Sequence, residues 1–208
     1  MMRIFRTIAG AAVTLALTSA AQAQLLTVVE VNAPAVNCVF NPSCTITVND
    51  SQGFIALPYI ATPKTAWLQS RTYTGAPNTP GAGKTAYEYR VSLTEASGSA
   101  DCLTGFVVNF GPVAKLPYAN NQPADVFVTT TGGLGTIGIK TAEKFSDVIE
   151  FTFKSGGLCL AGGPDVKNTT FFFGLAANNA PAPAPIDGQI VAVGMPAIYP
   201  VQARVPVH

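Results

Sequence analysis

One stretch constrains the fold of this chain more than any other. Over residues 85–93, Tyr87, Tyr89, Val91 and Leu93 alternate strictly with Glu88, Arg90 and Ser92. Successive side chains of an extended chain point to opposite faces, so this pattern predicts a strand with one face in a core. Further β-rich runs occupy residues 25–31, 45–48, 54–60, 65–73, 104–110, 124–130, 136–140, 148–154, 169–175, 189–193 and 197–205, separated by Gly, Pro and Asn. Pro200 places the last run at a sheet edge, since proline donates no ladder hydrogen bond. Many strands with turn signals between them, and little helical periodicity, predict an all-β chain. The expected architecture is a single β-sandwich or Greek-key barrel and not a βαβ array. A helical turn is expected at 141–145, where Ala142-Glu143-Lys144 are good helix formers. Residues 75–84 read as a surface loop without an apolar anchor. Residues 178–185, with Ala-Pro-Ala-Pro, read as a stiff spacer that sets the final strands slightly apart.

The exception to the β pattern lies at the front. Arg3 and Arg6 precede an apolar run over residues 8–17, and Ala21-Gln22-Ala23 follows as a small-x-small triplet. These are the three parts of a secretory signal peptide. The run is shorter than the ~20 residues needed to span a bilayer. Cleavage is expected between Ala23 and Gln24, giving a signal peptide at 1–23 and one β domain at 24–208. Removing Arg3 and Arg6 leaves ten basic residues against eleven acidic ones, a net charge near −1. That balance offers no electrostatic case for nucleic acid or an anionic membrane, and no transmembrane anchor is expected in the mature chain. Charged residues make up 11% of the chain, well below the ~25% of ordinary soluble domains, so Asn, Thr, Ser and Gln must supply much of the polar surface. A secreted or periplasmic location follows from the signal.

Export changes the reading of the four cysteines, Cys38, Cys44, Cys102 and Cys159. In an oxidising compartment an even number predicts two disulfides, for which three pairings exist. The Asn41-Pro42 step between the first two favours a turn and hence Cys38–Cys44. That leaves Cys102–Cys159 to tie two central strands. No Cys-x-x-Cys is present and the single histidine, His208, ends the chain, so neither a zinc site nor a thioredoxin-like centre is expected. The same shortage of histidine argues against Ser-His-Asp, Cys-His and cupredoxin-type copper chemistry. No catalytic residue, metal or cofactor is assigned.

Strand carboxylates are what remains. Glu88 and Glu150 each alternate with core aromatics, and neighbouring strands would bring both to one sheet face, as a glycosidase requires. Asp147, Asp101 and Asp125 are further candidates. The simpler reading is a solvated outer face. Asn49-Asp50-Ser51 and Gly162-Gly163-Pro164-Asp165 carry oxygen ligands suited to calcium, although turns demand the same residue types. Residues 129–135, Thr-Thr-Thr-Gly-Gly-Leu-Gly, lack the Gly-Lys-Ser/Thr ending of a phosphate loop and read as a hairpin turn. Phe171-Phe172-Phe173 reads as a central strand buried on both faces.

The segment from Glu150-Phe151-Thr152-Phe153 through Gly156-Gly157-Leu158-Cys159 and Gly162 to Phe172-Phe173-Gly174-Leu175 resembles exported bacterial β-sandwich proteins of unassigned activity. Some of those end in C-terminal sorting tags, and the end of this chain, Ala203-Arg204-Val205-Pro206-Val207-His208, has none. In size, export and disulfide bonding the chain also resembles chaperone-assembled pilus subunits, which usually carry one disulfide where two are expected here. The sequence thus points to a secreted, non-enzymatic structural, adhesive or assembly protein of the bacterial envelope or extracellular matrix. Its partners would be itself or other envelope or matrix components. The alternative is a polysaccharide-directed hydrolase or lectin using strand carboxylates.

Overall fold

The computed structural model describes residues 22–57, 66–94, 96, 102–119, 121–159, 169–178 and 198–206, and the backbone of 184–192. In chain order the first elements are β1 (Gln24–Leu25), β2 (Val28–Asn32), α1 (Ala33–Phe40), β3 (Asn49–Ile55), β4 (Ala66–Thr74) and β5 (Lys84–Ser92). They are followed by β6 (Leu103–Asn109), β7 (Leu116–Ala119), β8 (Gln122–Ala124), β9 (Val126–Thr131) and β10 (Ile139–Phe145). The last are β11 (Val148–Phe153), β12 (Phe172–Asn178), β13 (Ala184–Ala192) and β14 (Ile198–Val205). Two six-stranded sheets pack face to face, one ordered β1-β10-β11-β6-β13-β14 and the other β2-β9-β12-β5-β4-β3. This is the all-β sandwich the alternation predicts.

The core lies where the inward sets of the two sheets meet. From β5 and β12 of the second sheet come Tyr87, Tyr89, Val91 and Phe173; Phe106 and Phe151 face them from β6 and β11 of the first. Phe173 stacks within 5.0 Å of Phe151 and 6.0 Å of Tyr89, and Tyr89 within 5.0 Å of Phe106. Such ring pairs contribute about 0.5–1.5 kcal/mol each beyond the area they bury. Phe172 and Phe173 are both buried, on opposite faces of β12, a central strand of its sheet.

Both flanks of the sandwich are closed by chain. On one, β1 lies on the first sheet and β2 on the second, with Leu26 and Thr27 crossing between. Buried Asp125 fixes this crossing: its Oδ2 accepts the Thr27 amide at 2.8 Å and lies 3.5 Å from Lys115 Nζ. On the other flank β14 lies against β3. Arg204 donates from Nε to Ser51 Oγ at 2.8 Å, and its carbonyl accepts the Tyr89 hydroxyl at 2.7 Å. Gly53 permits the approach, because a Cβ there would collide with the Gln202 carbonyl.

Four expectations are corrected. Residues 139–145 form strand β10 and not a helical turn, because Ala142, Glu143 and Lys144 pair with β11 on one side and Glu143 and Lys144 with β1 on the other. Ladder pairing overrides local helix propensity. Residues 45–48 are irregular, and β3 begins at Asn49. The run 129–135 is not a hairpin turn, since it carries the chain from β9 in one sheet to β10 in the other. The final strands do not stand apart: β13 lies between β6 and β14 in the first sheet. Pro200 is on β14, at that sheet's edge. The spacer's residues 179–183 lie outside the described residues, as do 58–60 of the run expected at 54–60.

The helix α1 was not expected. Asn32 caps it by accepting the Ala35 amide at 2.8 Å, and Pro34 sits in its first turn, where no intrahelical donor is missed. Val36, Val39 and Phe40 are buried against the outer face of the second sheet. Its end is held by the hairpin between β4 and β5, which is therefore anchored after all. Ala76 N–H donates to the Phe40 carbonyl at 2.7 Å and Gly81 N–H to the Val39 carbonyl at 2.8 Å. Gly81 also lies flat on the Phe40 ring, where a Cβ would come within 2.6 Å.

Two disulfides join Cys38 to Cys44 and Cys102 to Cys159. The first fastens the last turn of α1 to the chain that follows it. The second spans 57 positions, and in the chain-entropy model it stabilises by about 4 kcal/mol, against about 2 kcal/mol for the short loop. Replacing Cys102 and Cys159 together by Ala is expected to lower the unfolding free energy by roughly twice as much as replacing Cys38 and Cys44, as read from urea midpoints.

Candidate functional site

The outward-pointing residues of the second sheet form the site. On β5 these are Glu88 and Arg90, on β4 Trp67, Gln69, Arg71 and Tyr73, on β3 Asp50, Gln52 and Phe54. Register aligns Asp50, Arg71 and Glu88 in one cross-strand row, Gln52, Gln69 and Arg90 in the next, and Phe54 beside Trp67 in a third. Phe172 of β12 is the outward ring between them. The Arg71 guanidinium lies 4.0 Å from its centroid and that of Arg90 5.0 Å. Arg90 also lies 4.9 Å from the Trp67 ring. Burial and the like charge of Arg71 lower the Arg90 pKa.

Two hollows meet at this stack. The first, about 330 Å³, is roofed by α1 through Val36 and Asn37 and walled by the 132–134 loop; Arg71, Glu88, Thr129 and Phe172 form its floor. The second is an open groove of about 350 Å³ lined by Asp50, Ser51, Gln52, Trp67, Gln69 and Arg90. Asp50 binds two neighbours from the strand beside it, Gln69 through Nε2 at 2.5 Å and Arg71 through Nε at 3.4 Å. Three buried polar atoms of the groove-lining residues have no hydrogen-bond partner among the described residues: Trp67 Nε1, Gln69 Oε1 and Arg90 Nε. Leaving such atoms unsatisfied costs about 1–3 kcal/mol each, so a ligand that meets them recovers that energy.

Glu88 is the most perturbed acid. It is only 6% exposed, and Tyr73 Oη donates to its Oε1 at 2.8 Å. Burial pushes its carboxyl up to about 7, against the opposing pull of the Tyr73 hydrogen bond and the Arg71 charge. The expected solvated outer face is therefore wrong at this position: α1 and the 132–134 loop cover that half of the sheet. Glu88 and Glu150 are not brought together either. Glu150 is exposed on β11 of the other sheet, where it pairs with Glu143 and Val107. Asp147 is at a turn, its carbonyl accepting the Phe110 and Gly111 amides at 2.7 and 2.8 Å, and Asp125 holds the flank crossing. Asn49-Asp50-Ser51 lies in β3 and not in a turn. Asp101, His208 and the 162–165 cluster lie outside the described residues. Among the described residues no three acidic, His or Cys side chains group as a metal site, and no helix is long and apolar enough to cross a membrane.

Trp67, Gln69, Arg71 and Tyr73 were not singled out from the sequence; their period-two spacing on β4 is the signal that marks this face. Its weight is visible only once β4 is paired with β5, because Arg71 acquires Glu88 and Gln69 acquires Arg90 as neighbours through that register.

Because burial raises the Glu88 pKa, the neutral acid is the form that fits the fold. Its contribution is full below about pH 4.5 and is lost as pH rises through about 7. From this group the protein is expected to lose roughly 3 kcal/mol of stability between those limits. Glu88→Gln removes that loss, so urea unfolding at pH 5 and pH 8 is expected to show a pH-dependent gap between the two proteins. No family model, no curated protein and no solved structure matches this chain.

Proposed function

We propose that this is an exported, non-catalytic adhesive protein of the envelope or extracellular matrix that holds a polysaccharide in the open groove on its second sheet. The observation that carries this reading is that Trp67, Gln69 and Arg90 line one depression, and each has a buried polar atom without a hydrogen-bond partner among the described residues: an indole N–H, an amide oxygen and a guanidinium N–H. Two donors and an acceptor suit hydroxyl groups, each of which both donates and accepts. Apolar surface flanks them, with Trp67 in the groove and Phe54, 66% exposed, paired beside it. A sugar ring presents both faces of this chemistry, hydroxyls at its edge and C–H groups on its flat side. The tripartite segment before Gln24 and the two disulfides support a working place outside the cytoplasm.

The mature protein, residues 24–208, is to be tested on a glycan array and by pull-down with insoluble polysaccharides. Binding to at least one glycan class is expected. Trp67→Phe keeps a ring but removes the indole N–H and is expected to weaken that binding about tenfold, the loss of one hydrogen bond of about 1.4 kcal/mol. Absence of binding to every glycan, or undiminished binding by Trp67→Phe and Gln69→Leu alike, rejects the reading.

A further inference from the structure

We propose that the glycan held on this face is acidic, and that a carboxylate of one of its sugar units enters the covered hollow between Arg71 and Glu88. This rests on the glycan reading and names the ligand class for the same face. The first argument is the charge inventory around Glu88. From its own strand and β4 come the cations Arg90 and Arg71 and the neutral phenol Tyr73; β3 supplies Asp50, and Tyr118 of β7 is near enough to feel the Glu88 charge. Helix α1, the 132–134 loop, β9 and β12 add no charge: they present Val36, Asn37, Leu134, Thr129 and Phe172. Among the described residues Asp50 is the carboxylate that bonds a guanidinium, that of Arg71, and it is already shared with Gln69.

The second argument is geometric. Arg71 lies over the Phe172 ring at 4.0 Å, and ring stacking leaves the planar N–H edge of a guanidinium as its binding surface. That edge matches a planar carboxylate, which it grips with two parallel hydrogen bonds. Its Nε already faces Asp50, and the same side chain lines the covered hollow.

The third argument concerns Glu88. Tyr73 occupies its Oε1, and no hydrogen bond from a described residue reaches Oε2. Held near the midpoint of its titration at neutral pH by burial, it donates its own proton to an incoming carboxylate when protonated and repels it when ionised. The hollow, about 330 Å³, lies at the lower end of the ~300–1,000 Å³ typical of small-ligand sites. It therefore suits one sugar unit and not a long segment, with the rest of the chain lying in the open groove beyond the Arg71–Phe172–Arg90 stack.

The test uses calorimetric titration of the mature protein with an oligogalacturonate, a neutral galactan oligomer of equal length and free galacturonate, at pH 5.5 and 8.5. The expected result is at least tenfold tighter binding of the acidic than the neutral oligomer at pH 5.5, and a fall of about tenfold in acidic binding at pH 8.5. Arg71→Gln is expected to bring the acidic-to-neutral ratio towards one. Glu88→Gln, which can still accept the Tyr73 hydrogen bond, is expected to flatten the ratio between the two pH values to within twofold. Thermal melts of each variant establish that it is folded. Equal binding of acidic and neutral oligomers overturns the carboxylate assignment and leaves the glycan reading standing. Free galacturonate binding as tightly as the oligomer upholds the carboxylate hollow and removes the polysaccharide. No binding of any of the three overturns both.

Discussion

The docking of α1 on the outer face of the second sheet is the contact on which the site depends. Without it the part of this face around Glu88 would be open to water, and Glu88 would be an ordinary surface carboxylate. Together with Ala114, Leu116, Tyr118 and Ala124 of the β7–β8 segment, the helix covers the end of the sheet where Tyr73, Ala86, Phe127 and Ala176 point outward and builds a second apolar cluster there. Phe40 anchors it, edge-on to Tyr73 at 5.0 Å. Tyr73 in turn spends its hydroxyl on Glu88. One hydrophobic contact thereby fixes the donor that partners the buried acid, and the boundary between covered hollow and open groove falls where the helix ends.

The division of that face also explains its composition. Under the helix the outward residues are small or aromatic, because they pack. Beyond it they are Arg, Gln, Asp and Trp, which border the open groove. The two guanidiniums are tolerated next to each other because Phe172 lies between them and offers each its electron-rich face. Phe172 is thus buried without belonging to the main core, and the three consecutive phenylalanines serve different ends: Phe173 in the core, Phe172 in the arginine stack, and half-buried Phe171 packed at the core's margin.

The sandwich was legible in the chain because period two is a direct record of sheet burial, clearest at residues 85–93. The two cysteine pairs followed from a turn signal and an even count. What was not legible came from elements too short or too dependent on partners to leave a pattern. The helix has eight residues, about two turns, so no amphipathic repeat could accumulate; its marks were Asn32 and Pro34, a cap and a first-turn proline, in a context rich in β signals. Glu88 was correctly placed on the face opposite Tyr87 and Tyr89, but sequence alternation cannot say that a helix covers that face. The pairing of Glu88 with Glu150 failed for a related reason: alternation gives the side of a strand and not the sheet to which the strand belongs.

The disulfides serve the site and not the fold alone. Cys38 is in the last turn of α1, and its bond to Cys44 closes a loop of six positions around the turn at Asn41, Pro42 and Ser43. A helix of eight residues is too short to be stable by itself in water. Packing through Val36, Val39 and Phe40, the hairpin amides of Ala76 and Gly81, and this bond together hold it. The same bond limits how far the segment carrying Ile46 and Val48 can move, and both residues line the hollow over Glu88. A rigid roof lowers the ordering cost of any ligand that enters beneath it. The Cys38–Cys44 bond therefore does more for this chain than reinforce a sandwich that already has a large aromatic core. It fixes the helix that roofs the hollow over Glu88.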